Sequence, residues 1–347
     1  MKAMILKEFR ELRRDRRTMA MLIALPIVLL TIFGYAANFT IDSLETRVVG
    51  PGAEQLAGQL PGLFVVDVAD ASTTTDDALA WVRDNAADVV IDTSTQPPTA
   101  YLDGSNLFAA QGASAALGRL GPDAVTLDIL YNPDLTTAWV MVPALIGLIL
   151  TFIGTIITSI GLVRERQTGT LEQLAVMPLR PVDVIIGKIA PYFILASVDM
   201  LLVTLLGVWI FNVPFNGNPW LFALGGGIFL FVVLGIGVLI STASQTLAQA
   251  IQLAIMMLLP QVLLSGFIFP LSAMPTVISW IGHALPLTYF VQIAQGIFLR
   301  GAGLDSLWVS YAVLVAMAAL IFSAAILRFR RDLAPTSRRS RSESKAS

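Results

Sequence analysis

Cysteine is absent from all 347 residues, histidine occurs once, and only 13% of the chain is charged. Without cysteine there is no disulfide and no thiolate metal site, so any part outside a lipid phase folds by packing alone. His283 has no second histidine or cysteine with which to form a metal site and reads as an ordinary interfacial histidine. No Gly-x-x-x-x-Gly-Lys-Ser/Thr phosphate loop occurs: Gly187-Lys188 has no matching glycine upstream and is followed by Ile189. No serine or carboxylate cluster points to hydrolysis, so the chain is expected to be no enzyme, with no metal and no cofactor of its own.

What is present is apolar. Hydrophobic residues make up 56% of the chain and the mean hydropathy is +0.76, which fits a polytopic membrane protein rather than a globular one. A spanning helix needs roughly 20 apolar residues, and six stretches of that kind occur, at 18–37, 139–163, 184–211, 220–240, 248–269 and 307–327. A seventh apolar region, 275–299, is interrupted by Pro275, Gly282, His283, Pro286 and Gln292. It reads as short helices dipping into the outer leaflet, because broken backbone at membrane depth persists only against protein or a wet cavity.

Charge sets the expected topology. Of 22 lysines and arginines, 18 fall in the leader 1–17, around the loop 164–183 with Lys188, and in the tail 328–347. Arg47, Arg83, Arg119 and Arg300 lie on the opposite side. The positive-inside rule then places both termini in the cytoplasm, as an even number of spans requires. Segment 38–138 carries fourteen acidic residues against three arginines, a net of −11, and is expected outside the cell. Strands are expected at Leu63–Val68, Asp88–Asp92, Thr99–Asp103 and Val125–Tyr131, and helices at Thr75–Asn85 and Leu107–Leu120, giving a small α/β domain. Its acidity reads as a solvated surface, with attraction of cationic substrates as the alternative. A cleaved secretory signal ending near Tyr35-Ala36-Ala37 is disfavoured, since the apolar run is long and contains Pro26.

Two cytoplasmic pieces carry mechanical information. In the leader, Met1, Ile5, Phe9 and Leu12 share a helical face and basic residues fill most of the rest, as in a helix lying in the lipid interface. In the loop after the second span, Thr170 and Gln173 form a capping box, and Glu172 sits in the first turn. Leu171, Leu174 and Met177 share a face, and Pro178 marks the stop. A capped rod joined to a span can transmit force, whereas a tidy loop packed under the bundle would show the same capping chemistry.

Arg164-Glu-Arg-Gln-Thr-Gly-Thr-Leu-Glu-Gln-Leu174, then Met177-Pro-Leu-Arg-Pro-Val-Asp183 and Gly187-Lys-Ile-Ala-Pro-Tyr192, resembles the ABC-2 family of exporter permeases. Leu264-Ser-Gly-Phe-Ile-Phe-Pro-Leu-Ser-Ala-Met-Pro275 and Leu285–Gly301 are similar to that family's fifth span and the outer segment after it. Tyr101-Leu-Asp-Gly-Ser-Asn106 is similar to a phrase of the multidrug and daunorubicin-resistance-like subgroup with a long outer domain. The resemblance covers nearly the whole chain and is strongest from Arg164 to Gly301.

It implies an α-helical polytopic membrane protein of six transmembrane helices, with an amphipathic N-terminal elbow helix, a small extracellular α/β domain and outer re-entrant helices. It also implies residence in a bacterial plasma membrane and assembly with a second permease copy, identical or paralogous. Two copies of a separate ATPase would bind ATP and Mg, and the cargo would be a hydrophobic or amphipathic drug, natural product or lipid. Membrane lipid is the surrounding partner, and no nucleic acid is expected. By the same resemblance, coupling to the ATPase falls to Arg164, Glu165, Arg166, Gly169, Thr170, Leu171, Glu172, Gln173, Leu174, Met177 and Pro178. The outer gate falls to Pro270, Pro275, Pro286 and Tyr289.

Asp199 is the one ionisable residue well inside an expected span, with Ser197 beside it and Thr204 further along. It reads equally as a cation or proton site and as an interhelical contact. Gly225, Gly226, Gly227, Gly235 and Gly237 read as close-packing positions in the fourth span. Two alternatives stand beside the exporter: a proton-coupled transporter using Asp199, against which no duplicated halves are visible, and a membrane scaffold or sensor without flux.

Overall fold

Short β-branched runs cut by glycine, proline and Asp/Thr turns give way after Leu130 to long apolar helices, so sheet and membrane bundle follow one another along the chain. The structure, a computed structural model, describes residues 43–121, 124–168 and 181–333. The leader, the expected span 18–37 and most of the loop 164–183 lie outside the described residues.

The first part is a five-stranded sheet of β1 (Leu44–Val49), β2 (Phe64–Asp70), β3 (Val89–Asp92), β4 (Thr99–Asp103) and β5 (Thr126–Leu130), in the order β2-β1-β3-β4-β5. β1 runs parallel to both its neighbours, β4 antiparallel to β3, and β5 parallel to β4. Helices α1 (Ala53–Ala57), α2 (Thr75–Arg83) and α3 (Leu107–Gly118) cover it. Every residue of β3 is buried, as expected of a central strand covered on both faces. Leu44, Val48, Val89 and Ile91 pack against Ala109, Ala110 and Ala113 of α3, while Val49 and Val90 pack against Ala78 and Val82 of α2. The period-2 alternation of strand side chains thus divides the domain into two half-cores.

Local chemistry sets the helix starts. Thr74 Oγ1 accepts the Asp77 N–H at 3.3 Å and donates to the Asp77 carboxylate at 2.7 Å, and Asn106 Oδ1 accepts the Ala109 N–H at 3.4 Å. Gly50 holds φ 90°, and a Cβ there would come within 3.0 Å of Ser94 N, so only glycine leaves β1 this way. β1 and α1 are absent from the sequence expectation. In β1 the buried set Leu44, Thr46 and Val48 alternates with Glu45 and Arg47, and the charges mask the pattern.

Asn132 joins the two parts. Fully buried, it accepts the Thr136 N–H at 2.8 Å and donates to the carbonyls of Gly104 and Thr136, tying the end of β5 to the first residues of α4 (Thr137–Gln167). The bundle continues with α5 (Pro181–Ile210), α6 (Pro219–Ala243), α7 (Leu247–Leu264), α8 (Thr276–His283), α9 (Pro286–Gln295) and α10 (Leu304–Leu333). Among the described residues, α4, α5, α6, α7 and α10 are long and apolar enough to cross a membrane. The bent pair α8 and α9 makes a sixth candidate if counted as one span. The fifth expected run extends to Phe269, but α7 stops at Leu264, because Gly266 turns left-handed at φ 84° and Pro270 follows.

α6 is the axis of the described bundle. Its apolar window is 67% buried, against 17% for α5 and 22% for α10, whose remaining side chains face outward. A helix apolar on every side belongs in the interior. Missing side chains let its neighbours close in. A Cβ on Gly226 would strike Met200 of α5, one on Gly235 would strike Ile321 of α10, and one on Gly237 would strike Thr158 and the α4 backbone. Of the glycines expected to pack closely in the fourth span, Gly225, Gly226, Gly235 and Gly237 do so, whereas Gly227 does not, since a Cβ there would meet only Phe193 at an ordinary 3.9 Å.

Candidate functional site: the bundle interior and its bent helix pair

The buried face of α5 is Ala196, Met200, Thr204 and Gly207, at helical spacing, while Ile194, Leu195, Val198, Leu201, Leu202 and Leu205 point outward. Asp199 lies on the flank of the buried stripe. Its Oδ2 is buried and has no hydrogen-bond partner among the described residues. Ser197 does not supply one, because its hydroxyl donates back to the Phe193 carbonyl at 2.7 Å, and the Thr204 hydroxyl is itself unpartnered. An acceptor left unmade at this depth is costly, so the site is incomplete within the described residues. α7 adds a second one: Gln261 is fully buried, with neither amide atom bonded.

The expected gate residues sit together on one bend. Pro270 opens the short 3-10 turn Leu271–Ala273, Pro275 precedes α8, and Pro286 is the first residue of α9, where its missing N–H is not needed. α8 and α9, the latter continued by a π turn over Gly296–Arg300, meet at 80°. The bend is held by side chains of α9 reaching back to the carbonyls that end α8, of which Gly282 O also accepts the Leu285 N–H at 3.0 Å. Thr288 Oγ1 donates to Gly282 O at 2.6 Å and Tyr289 Oη to His283 O at 2.7 Å. Below it, Phe290 stacks on Phe229 of α6 at 4.5 Å, and Phe215, Phe222 and Phe298 complete an aromatic cluster. His283 Nδ1 lies 2.7 Å from Ser279 O in its own helix.

At the end of the π turn, Arg300 leaves the bundle for the α/β domain. Its side chain is 7% exposed, and Nη1 donates to Asn85 Oδ1 at 2.6 Å, Ser105 Oγ at 3.3 Å and Asp103 Oδ2 at 3.4 Å. Asp103 is 1% exposed and also accepts the Ser105 hydroxyl and amide. Next to it, Ser306 of α10 donates to Asp84 at 2.6 Å and Arg83 lies 4.0 Å from Asp305. Burial pushes the Asp84 carboxyl up, but the hydrogen bonds and charge of Arg83, with Ser306, outweigh it and hold the group below its ordinary range. Sequence reasoning counted Arg300 as a cation on the acidic side and gave it no partner. A lone arginine closing an apolar run opposite an acid-rich segment is the trace that was available.

The family described as ABC-2 family transporter protein matches residues 16–327, which includes the bent pair, the Asp199 helix and the whole α/β domain. The chain belongs to the ABC-2 family. It is similar to the probable multidrug ABC transporter permease YbhR of Escherichia coli K12, 31% identical over 360 residues covering 95% of this chain and 98% of that protein. It is also similar to the probable multidrug ABC transporter permease YbhS of the same strain, 29% identical over 96% of this chain and 97% of that protein. A shorter match, 36% identical over 58% of this chain and 54% of the other, is to the inner membrane transport permease YhhJ of E. coli K12. Within this ABC-2 chain, α4 carries Arg164, Glu165 and Arg166 in its last turn. Gly169, Thr170, Leu171, Glu172, Gln173, Leu174, Met177 and Pro178 lie outside the described residues.

Proposed function

We propose that the chain is the membrane permease of an ABC exporter in a bacterial inner membrane. In this reading two permease copies, identical or paralogous, form the path, and two copies of a separate ATPase carry the ATP and Mg chemistry on the cytoplasmic face. Both termini lie in the cytoplasm, the α/β domain lies outside, and the bent pair α8–α9 closes the exit. Thr170–Pro178, continuing from α4, receives the ATPase stroke, with Arg164, Glu165 and Arg166 at the junction. The cargo is a hydrophobic or amphipathic molecule. One observation carries the reading: near end-to-end similarity to permeases named for multidrug ABC transport, over the same length, in a chain with no phosphate loop. The 31-residue α4 supports it, since a continuous helix can relay displacement from the loop at one end to the domain at the other.

The unpartnered carboxylate oxygen of Asp199 favours a second reading, a proton-coupled transporter. Reconstitution separates the two. Proteoliposomes holding the chain with an ABC ATPase that co-purifies with it should accumulate a fluorescent amphiphile only with ATP. Transport in ATP-free vesicles under a proton gradient, abolished by Asp199→Asn, would replace the exporter with the second mechanism.

A further inference from the structure

A cavity of about 430 Å³ lies where the α/β domain meets α4, the α7–α8 turn and α9. That is within the range of roughly 300–1,000 Å³ typical of small-molecule sites. One wall carries Glu45 and Asp88; Phe108 and Phe267 also line it, as do Ser265 and Arg300. Among the described residues neither Glu45 nor Asp88 has an ion-pair partner. Asp88 is satisfied only by neutral donors, the Asn106 amide at 3.0 Å and the Glu45 N–H at 3.2 Å. Arg300 does not balance them, being matched by buried Asp103. The lining therefore carries two uncompensated negative charges beside aromatic surface. Two further groups are left waiting. Among the described residues the Ser265 hydroxyl, in a residue 1% exposed, and the Nε–H of Arg300, 7% exposed, have no hydrogen-bond partner. A buried donor without an acceptor is costly, and each is answered by an oxygen that the described residues do not provide.

We infer that this cavity binds a flat aromatic cation bearing oxygen acceptors, its charge set against Asp88 and Glu45, its ring against Phe108 and Phe267, and an oxygen toward Arg300. Aromatic faces attract a cation beyond what the carboxylates do, and the polar remainder of the wall disfavours a wholly apolar guest. A metal ion fits less well, since no three His, Cys, Asp or Glu among the described residues come together to hold one. Burial, then the neighbouring carboxylates of Asp103 and Glu45, raise the Asp88 carboxyl to about 6 despite its two hydrogen bonds, so the site weakens on mild acidification. Among the described residues, the groups facing Asp88 or sharing its cavity are Glu45 of β1, Asp103 at the end of β4, Arg300 of the π turn and His283 of α8. The site stands whether or not the chain pumps.

Binding is read on the purified full chain in lipid nanodiscs, without ATPase, from the fluorescence of berberine, a permanent aromatic cation with ether oxygens. Oxyberberine, a neutral lactam of nearly the same shape, and protein-free nanodiscs serve as controls. We expect berberine to bind at least tenfold more tightly than oxyberberine, and Asp88→Asn to remove that preference. In the unmutated chain, which needs no variant to fold, affinity should fall severalfold from pH 7.5 to 5. The fall should persist in His283→Asn, since His283 also lines the cavity. Equal binding of cation and lactam, an unchanged Asp88→Asn, or a pH effect lost with His283 would each overturn the inference.

Discussion

Gly227 and Gly237 lie about three turns apart on α6, and their missing side chains have different value. A Cβ at 237 would meet the Thr155 carbonyl at 3.0 Å and Thr158 Cβ at 2.9 Å, while one at 227 finds only Phe193 at an ordinary 3.9 Å. Gly237→Ala should therefore destabilise the bundle by about 1–3 kcal/mol through overpacking. Gly227→Ala should be neutral or stabilise by up to about 1 kcal/mol through helix propensity. Thermal unfolding in detergent, compared between the pair, checks both. Asp88 gives a second residue-scale expectation. Its folded carboxyl, at about 6, is raised above the ordinary 3.8, so the native state holds the proton more tightly. Stability contributed by this group is present below about pH 4 and is lost as pH rises through 6, on the order of 2–3 kcal/mol at most. Asp70 acts in the opposite direction and at lower pH, its carboxyl lowered by the Ser72 backbone and side chain and by Thr73. The difference between unmutated and Asp88→Asn melting temperatures, followed from pH 4 to 7, isolates the term. A difference that does not change with pH contradicts it.

At the scale of elements, the bend between α8 and α9 depends on two hydroxyls reaching two carbonyls. Thr288→Val and Tyr289→Phe should each cost about 1 kcal/mol, and both together should open the bend to protease without unfolding α6. A cleavage pattern identical to the parent's would place the bend's stability elsewhere. In the proposed exporter, Leu174→Ala should lower ATP-driven transport while the partner ATPase continues to hydrolyse; unchanged coupling would remove the loop from the mechanism. How much of this could be read beforehand follows the physics of each element. The bend was legible because Pro275 and Pro286 interrupt an apolar run. α2 and α3 were legible as helical stretches, expected at Thr75–Asn85 and Leu107–Leu120, and the caps Thr74 and Asn106 emerge only with the fold. β1 was not, since its buried positions include Thr46 and its exposed ones are charged. The partners of Arg300 could not be read at all, because Asn85, Asp103 and Ser105 are about two hundred residues away in sequence. Only the fold brings them together.

At the scale of the whole molecule, Arg300 and Asp103 hold the sheet domain to the bundle as a buried pair. Arg300→Met leaves Asp103 buried and unmatched, a loss of about 3–5 kcal/mol, and should free the domain to hydrogen exchange while the helices stay protected. Arg300→Met with Asp103→Asn should recover much of the loss. Failure of the double variant to improve on the single one would show that the pair does not hold the interface.

Among the described residues the domain is fastened through Asn132 to the start of α4, through Arg300 to the end of the π turn after α9, and through Asp84 and Arg83 to the start of α10. A body pinned to several rods senses any slip of one against another. Sliding of α4 past α9 would be translated into tilt of a soluble surface, where a distance probe can read it. Conversely, a binder that clamps that surface from the aqueous side would brake the helices without touching the lipid-embedded path.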